Sequence, residues 1–106
     1  MADMLGLMKQ AQAMQAKMQE VQAELERTEV EGQSGGGMVR ITLTAKGQMK
    51  GIVLDPSLLV PDDKDMLEDL ILAAHEDARK KGDRLMEEKM KAVTAGLPLP
   101  PGMKLF

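Results

Sequence analysis

Cysteine, tryptophan and tyrosine are absent from this chain, and Phe106 is its only aromatic residue. The missing cysteines exclude disulfides, thiolate metal sites and a cysteine nucleophile at once. A secreted domain of this size would ordinarily carry disulfides, so their absence points to a reducing cytoplasm. Long apolar runs are missing too, and Met1 to Leu7 includes Asp3 but no basic stretch. Neither a membrane span nor a signal peptide is therefore expected. Without aromatics, the core is left to Leu, Ile, Val and 11 Met residues. Methionine fills irregular gaps but specifies packing weakly. At 106 residues the chain is one domain with a thin core, which predicts that a second copy completes it.

Patterning supplies the fold class. Met4, Leu7, Ala11, Met14, Met18, Val21 and Leu25 alternate spacings of three and four, the seam of an amphipathic helix that wants a partner helix along its length. Asp3 stands where an N-cap would help. From Thr28 and Val30 the chain turns extended, and a turn is expected over Gly32-Gln33-Ser34-Gly35-Gly36-Gly37. Val39, Ile41 and Leu43 alternate with Arg40, Thr42 and Thr44, a half-buried strand. Lys46-Gly47-Gln48 makes a hairpin turn into a third strand, Met49 to Leu54, stopped by Asp55-Pro56. Acidic residues at 62–65 suit the start of a last helix, with Met66, Leu67, Leu70, Ile71, Ala74 and Ala78 as its apolar face. Gly82 predicts a bend or a close contact, and Gly96 a C-terminal stop. The expected architecture is α+β: a three-stranded antiparallel meander flanked by two long helices over 1–96, then a Pro-rich tail, 97–106.

Charge is unevenly spread. Residues 55–77 hold eight acidic side chains against Lys64, whereas residues 79–91 hold six basic and three acidic. The formal net charge of -3 argues weakly against a nucleic-acid partner, but this gradient matters more than the total. A Lys/Arg helix face contacts phosphates without reading bases. The competing view is a solvated face laced with Glu76–Lys80, Asp77–Lys81, Arg84–Glu88 and Glu87–Lys91 pairs. No aromatic is available to stack on single-stranded bases. From the residues alone, DNA and a protein partner both stay open, with protein scaffolding slightly ahead.

Catalysis finds little support. His75, the only histidine, has neither a cysteine nor a Gly-x-Ser-x-Gly motif to work with, and packs better as a helix-surface residue. The acids at 62–69 could in principle hold Mg²⁺, but acids at a helix start are ordinary dipole partners. The glycines at 32–37 join strand to strand with no Gly-Lys-Ser/Thr, unlike a phosphate-cradling loop. No enzyme activity, cofactor, metal or small-molecule substrate is expected.

Four stretches carry a resemblance. They are Leu7-Met8-Lys9-Gln10-Ala11-Gln12 continuing to Met14-Gln15-Ala16-Lys17-Met18; Val30-Glu31-Gly32-Gln33-Ser34-Gly35-Gly36-Gly37; Leu54-Asp55-Pro56-Ser57-Leu58-Leu59 with Asp63 to Leu70; and Gly96-Leu97-Pro98 leading to Pro100-Pro101-Gly102-Met103-Lys104. Together they resemble the YbaB/EbfC nucleoid-associated proteins over nearly the whole chain. The resemblance implies an α-β-β-β-α subunit in an intertwined, tweezer-like homodimer, whose protruding helix arms grip double-stranded DNA. Carried over, the arm positions are Lys9 and Lys17 on the first helix and Lys80, Lys81, Arg84, Lys89 and Lys91 on the last. It further implies a cytoplasmic, nucleoid-associated protein in chromosome organisation or gene regulation. The alternative is a protein-interaction scaffold using the N-terminal seam. Relatives often carry Asn-Gly at the hairpin and a Pro-Phe ending, where this chain has Ala45-Lys46-Gly47 and Leu105-Phe106.

Overall fold

Strong helix formers run with no proline from Met4 to Arg27, and in the computed structural model, which describes residues 4–94, they form one helix, α1 (Met4–Arg27). Asp3, Gly96 and the 97–106 tail lie outside the described residues. The helix ends at Thr28, whose amide and hydroxyl both donate to the Glu24 carbonyl, at 2.8 and 2.7 Å. Three strands follow, β1 (Glu29–Ser34), β2 (Val39–Thr44) and β3 (Met49–Leu54), in the antiparallel order β1-β2-β3. The expected meander is therefore present.

One boundary differs. Gly32, Gln33 and Ser34 belong to β1, paired with Ile41, Arg40 and Val39, and the turn is confined to Gly35–Gly37. All three of those glycines have positive φ, which suits residues without a Cβ. Gly32 serves another purpose: it is buried where the last helix crosses the strand. At the other end of β2 the hairpin turns through Gly47, and the ladder is bulged between Thr42 and Leu43.

After β3, the Asp55 carboxylate accepts from the Ser57 amide at 2.9 Å and opens a 3-10 turn that buries Leu58. A second such turn, Pro61–Asp63, leads into α2 (Lys64–Thr94). This helix continues unbroken through Gly82. The Gly82 position lets the helix pass close to the backbone of Ala45, so the expected close contact is realised within a continuous helix.

Two apolar clusters hold these elements together. The first joins β2 to α2 through Val39, Ile41, Leu43, Leu58, Ala74 and Ala78. The second joins the C-terminal half of α1 to the far half of α2 through Val21, Leu25, Ala45 and Met90. Polar contacts lock β1 to α2 as well. Ser34 Oγ donates to the Leu70 carbonyl, the Gln33 amide donates to Asp77 at 2.9 Å, and Lys81 Nζ donates to the Glu31 carbonyl at 2.8 Å.

Much apolar surface remains uncovered. The radius of gyration is 19.9 Å, against about 13 Å for a compact domain of 100 residues. Ile52 pairs with Ile41, and therefore lies on the face that α2 covers over β2, yet it is 44 % exposed. Met49, Val53, Leu59, Val60 and Leu72 are exposed too. Met66, expected on the packed face of the last helix, joins them. Periodicity marks which residues are apolar on one side of a helix, not how far this chain's own sheet extends beneath it. The α1 seam is likewise only half satisfied: Met18, Val21 and Leu25 pack against α2, whereas Met4, Leu5, Leu7 and Met8 face solvent.

Candidate nucleic-acid interface

The far half of α2 presents its basic residues in two groups. Lys80 and Arg84 are exposed, and on a helix of 3.6 residues per turn they fall with Lys91 within about 40° of one another, opposite the sheet. Lys81 and Lys89 are held by other parts of the chain. Lys81 bonds the Glu31 carbonyl and pairs with Asp77 at 3.2 Å, while Lys89 pairs with Glu24 of α1 at 2.8 Å. The latter pair is half-buried and bridges the two helices. On α1, Lys9 and Lys17 are exposed, with Lys17 at the mouth of a cleft it shares with Glu20, Glu24 and Lys89. The structure thus brings Lys17 and Lys89 together, groups Lys80 with Arg84 and Lys91, and leaves Lys9 farther along α1.

Arg79 stands apart from the sequence-derived group. It is committed to Glu76 and, at 2.8 Å, to Asp83. Among the pairs expected on α2, Asp77–Lys81 forms, whereas Glu76 takes Arg79 as its partner. The carboxylates respond. Hydrogen bonding from Arg79 holds Glu76 below its ordinary pKa. Asp77 is lowered first by the Gln33 amide and then by Lys81. Glu24 is lowered chiefly by Lys89. The roles of Asp77, Lys81, Glu24 and Lys89 as ties between elements were not visible in the sequence. Only the i,i+4 spacing of Asp77 and Lys81 hinted at a pair, and nothing local identified β1 as its third member.

Separation along α2 decides whether the acids at the start of the helix cancel the basic residues of its far half. From Asp65 to Arg84 is 19 residues, or about 28 Å of helix. Surface charges that far apart are screened at physiological salt, where the Debye length is about 8 Å. A phosphate at Arg84 would sense the local excess of positive charge and little of the acidic start.

Among the described residues, no nucleophile or free cation stands beside the one histidine. His75 is half-buried in a cleft of about 280 Å³ with Lys46, Arg79 and Asp83, and Arg79 is already occupied by its carboxylates. Among the described residues no group of three or more His, Cys, Asp or Glu side chains is arranged to hold a metal ion. None of the described helices is long and apolar enough to cross a membrane.

The chain is thus an α-β-β-β-α fold with two long helices, an outward Lys/Arg face and exposed apolar residues along β3. The chain belongs to the YbaB/EbfC DNA-binding family, which its residues 1–97 match. That family is not a family of enzymes. A nucleoid-associated protein of Methylocella silvestris is 71 % identical over 105 residues, covering 99 % of this chain and 98 % of that one. A nucleoid-associated protein of Agrobacterium fabrum is 52 % identical over 105 residues, covering 99 % and 98 %. Among solved structures, an uncharacterized protein from Helicobacter pylori has the same fold at a TM-score of 0.74 and 22 % identity, covering 91 % of this chain and all of that one.

Proposed function

We propose that the chain works as a homodimer that binds double-stranded DNA through phosphate contacts, on the nucleoid, in chromosome organisation or gene regulation. Family membership supports DNA as the ligand. The observation that carries the mode of binding is the outward face of Lys80 and Arg84, opposite the sheet and more than a turn of helix beyond the acids at 62–69. Lys9, Lys17 and Lys91 add positive charge on the same two helices. Lys81 and Lys89 take part only by exchanging an internal partner for a phosphate. Side chains of this kind displace counterions from the duplex without reading sequence, so affinity falls steeply with salt. The exposed apolar residues of β3 and of the segment leading into α2 support the dimer, because surface of that size on a thin core favours a second copy.

The double variant Lys80→Glu, Arg84→Glu tests this reading without disturbing the β1–α2 ties made by Lys81. Gel-shift titration at 50 and 200 mM salt should show weaker binding and a salt slope reduced by about one per phosphate contact removed. Unchanged affinity and slope would refute phosphate binding by this face.

A further inference from the structure

The N-terminal half of α1 differs in chemistry from every stretch of α2. We propose that this half enters the major groove of duplex DNA and that Gln12, Gln15 and Gln19 read adenine there. The inference rests on the DNA-binding reading above and adds base recognition to its phosphate contacts.

Exposure and charge define the surface. From Met4 to Lys17 every residue but Gly6 and Met14 is exposed, so this part of the helix stands clear of the sheet. A helix of that length is marginal in water unless a partner covers it. Between Met4 and Gln19 lie Lys9 and Lys17 and no acidic residue, whereas α2 never runs more than six residues without one. An acid-free cationic helix complements a polyanion. The major groove, about 12 Å wide and 8.5 Å deep, takes one helix with its side chains.

The side chains narrow what is read. At 3.6 residues per turn, Gln12, Gln15 and Gln19 fall within about 60° of one another. All three are exposed, and none bonds to another described residue. A carboxamide that meets N6 and N7 of adenine with two hydrogen bonds recognises that base in the major groove. From Gln12 to Gln19 is about 10 Å of helix, or roughly three base-pair steps. Ala16 borders the stripe, and its small side chain allows a close approach to the bases and suits a thymine methyl. Lys9 stands about 90° round the helix from the stripe, on the side of one phosphate wall of the groove.

Selection from a randomised duplex pool tests the assignment. The full-length protein should enrich sites whose adenines lie within about four base pairs of one another. Replacing those adenines with 7-deazaadenine removes the N7 acceptor and should weaken binding roughly tenfold. The variant Gln12→Ala, Gln15→Ala, Gln19→Ala gains helix propensity, so its fold is safe. It should bind selected, scrambled and 7-deazaadenine duplexes alike, with the salt slope of the parent. A parent protein that binds duplexes without preference overturns base reading and leaves the phosphate contacts standing; one that binds no duplex overturns both. A triple variant that keeps the preference, or that loses salt slope along with affinity, also overturns the role given to these glutamines.

Discussion

Gly32→Ala adds one methyl group to a strand, ordinarily a harmless or favourable change, and here it should take away a large share of the domain's stability. A Cβ built on Gly32 would lie 2.8 Å from the Ala78 Cβ and closer still to the Ala74 carbonyl oxygen and the Ala78 amide nitrogen. Two of these three atoms are helix backbone, so no rotamer change relieves the overlap. Either β1 or α2 must move, and the Ser34–Leu70, Gln33–Asp77 and Lys81–Glu31 bonds lie in the same contact. Overpacking costs about 1–3 kcal/mol where side chains can adjust. The upper end, about 3 kcal/mol, is the expectation here because the obstruction is main chain. For a domain of this size that lowers Tm by roughly 12–24 °C. Gly51→Ala is the control, because a Cβ there would meet nothing within 4 Å and Gly51 has no positive φ. It should change stability by less than about 1 kcal/mol. Thermal melts followed by circular dichroism, at one fixed protein concentration, compare the two. If Gly32→Ala melts with Gly51→Ala, the close approach of strand and helix is wrong. Adding Ala78→Gly to Gly32→Ala should not rescue it, since the backbone overlaps remain.

Two further perturbations probe the ion-paired tie and the apolar margin. Asp77 is held below its ordinary pKa of about 3.9 by the Gln33 amide and Lys81; its stabilising effect is therefore present above that value and lost as pH falls through the folded-state value. Asp77→Asn should thus have a lower urea midpoint than the parent at pH 7, and the gap should narrow as pH falls below the ordinary carboxylate range; a gap independent of pH would refute the linkage. Ile52→Asp with Leu59→Asp places charges in the exposed apolar margin, and sedimentation should show a folded monomer where the parent sediments as a dimer; an unchanged dimer would exclude that margin as the interface.

The elements were legible because their periods are. Three-four spacing from Met4 to Leu25 and alternation from Val39 to Leu43 each admit one local structure, and both formed. Errors arose where the deciding partner lies far away in sequence. Gly32 looks like the start of a turn, because glycine after a short extended run ordinarily ends it. Its actual constraint comes from Ala74 and Ala78, more than forty residues later. Met66 fits the apolar period of α2, but the described strands leave it exposed. The basic residues could be counted but not sorted. Lys81 and Lys89 share their helix with Lys80 and Arg84, and only the folded chain brings Glu31 and Glu24 to the first two.

The ties between β1 and α2 also bear on how many chains can join. On β1 the Gln33 amide and the Glu31 carbonyl point away from β2, where an incoming strand would seek them. Asp77 and Lys81 already occupy both groups, so a strand added at that rim would have to displace them. At the opposite rim β3 has a strand neighbour on one side only. Strand pairing between copies is therefore cheaper at the β3 rim than at the β1 rim. A pairing of two β3 rims would leave only the two costlier β1 rims exposed, which disfavours growth into a filament.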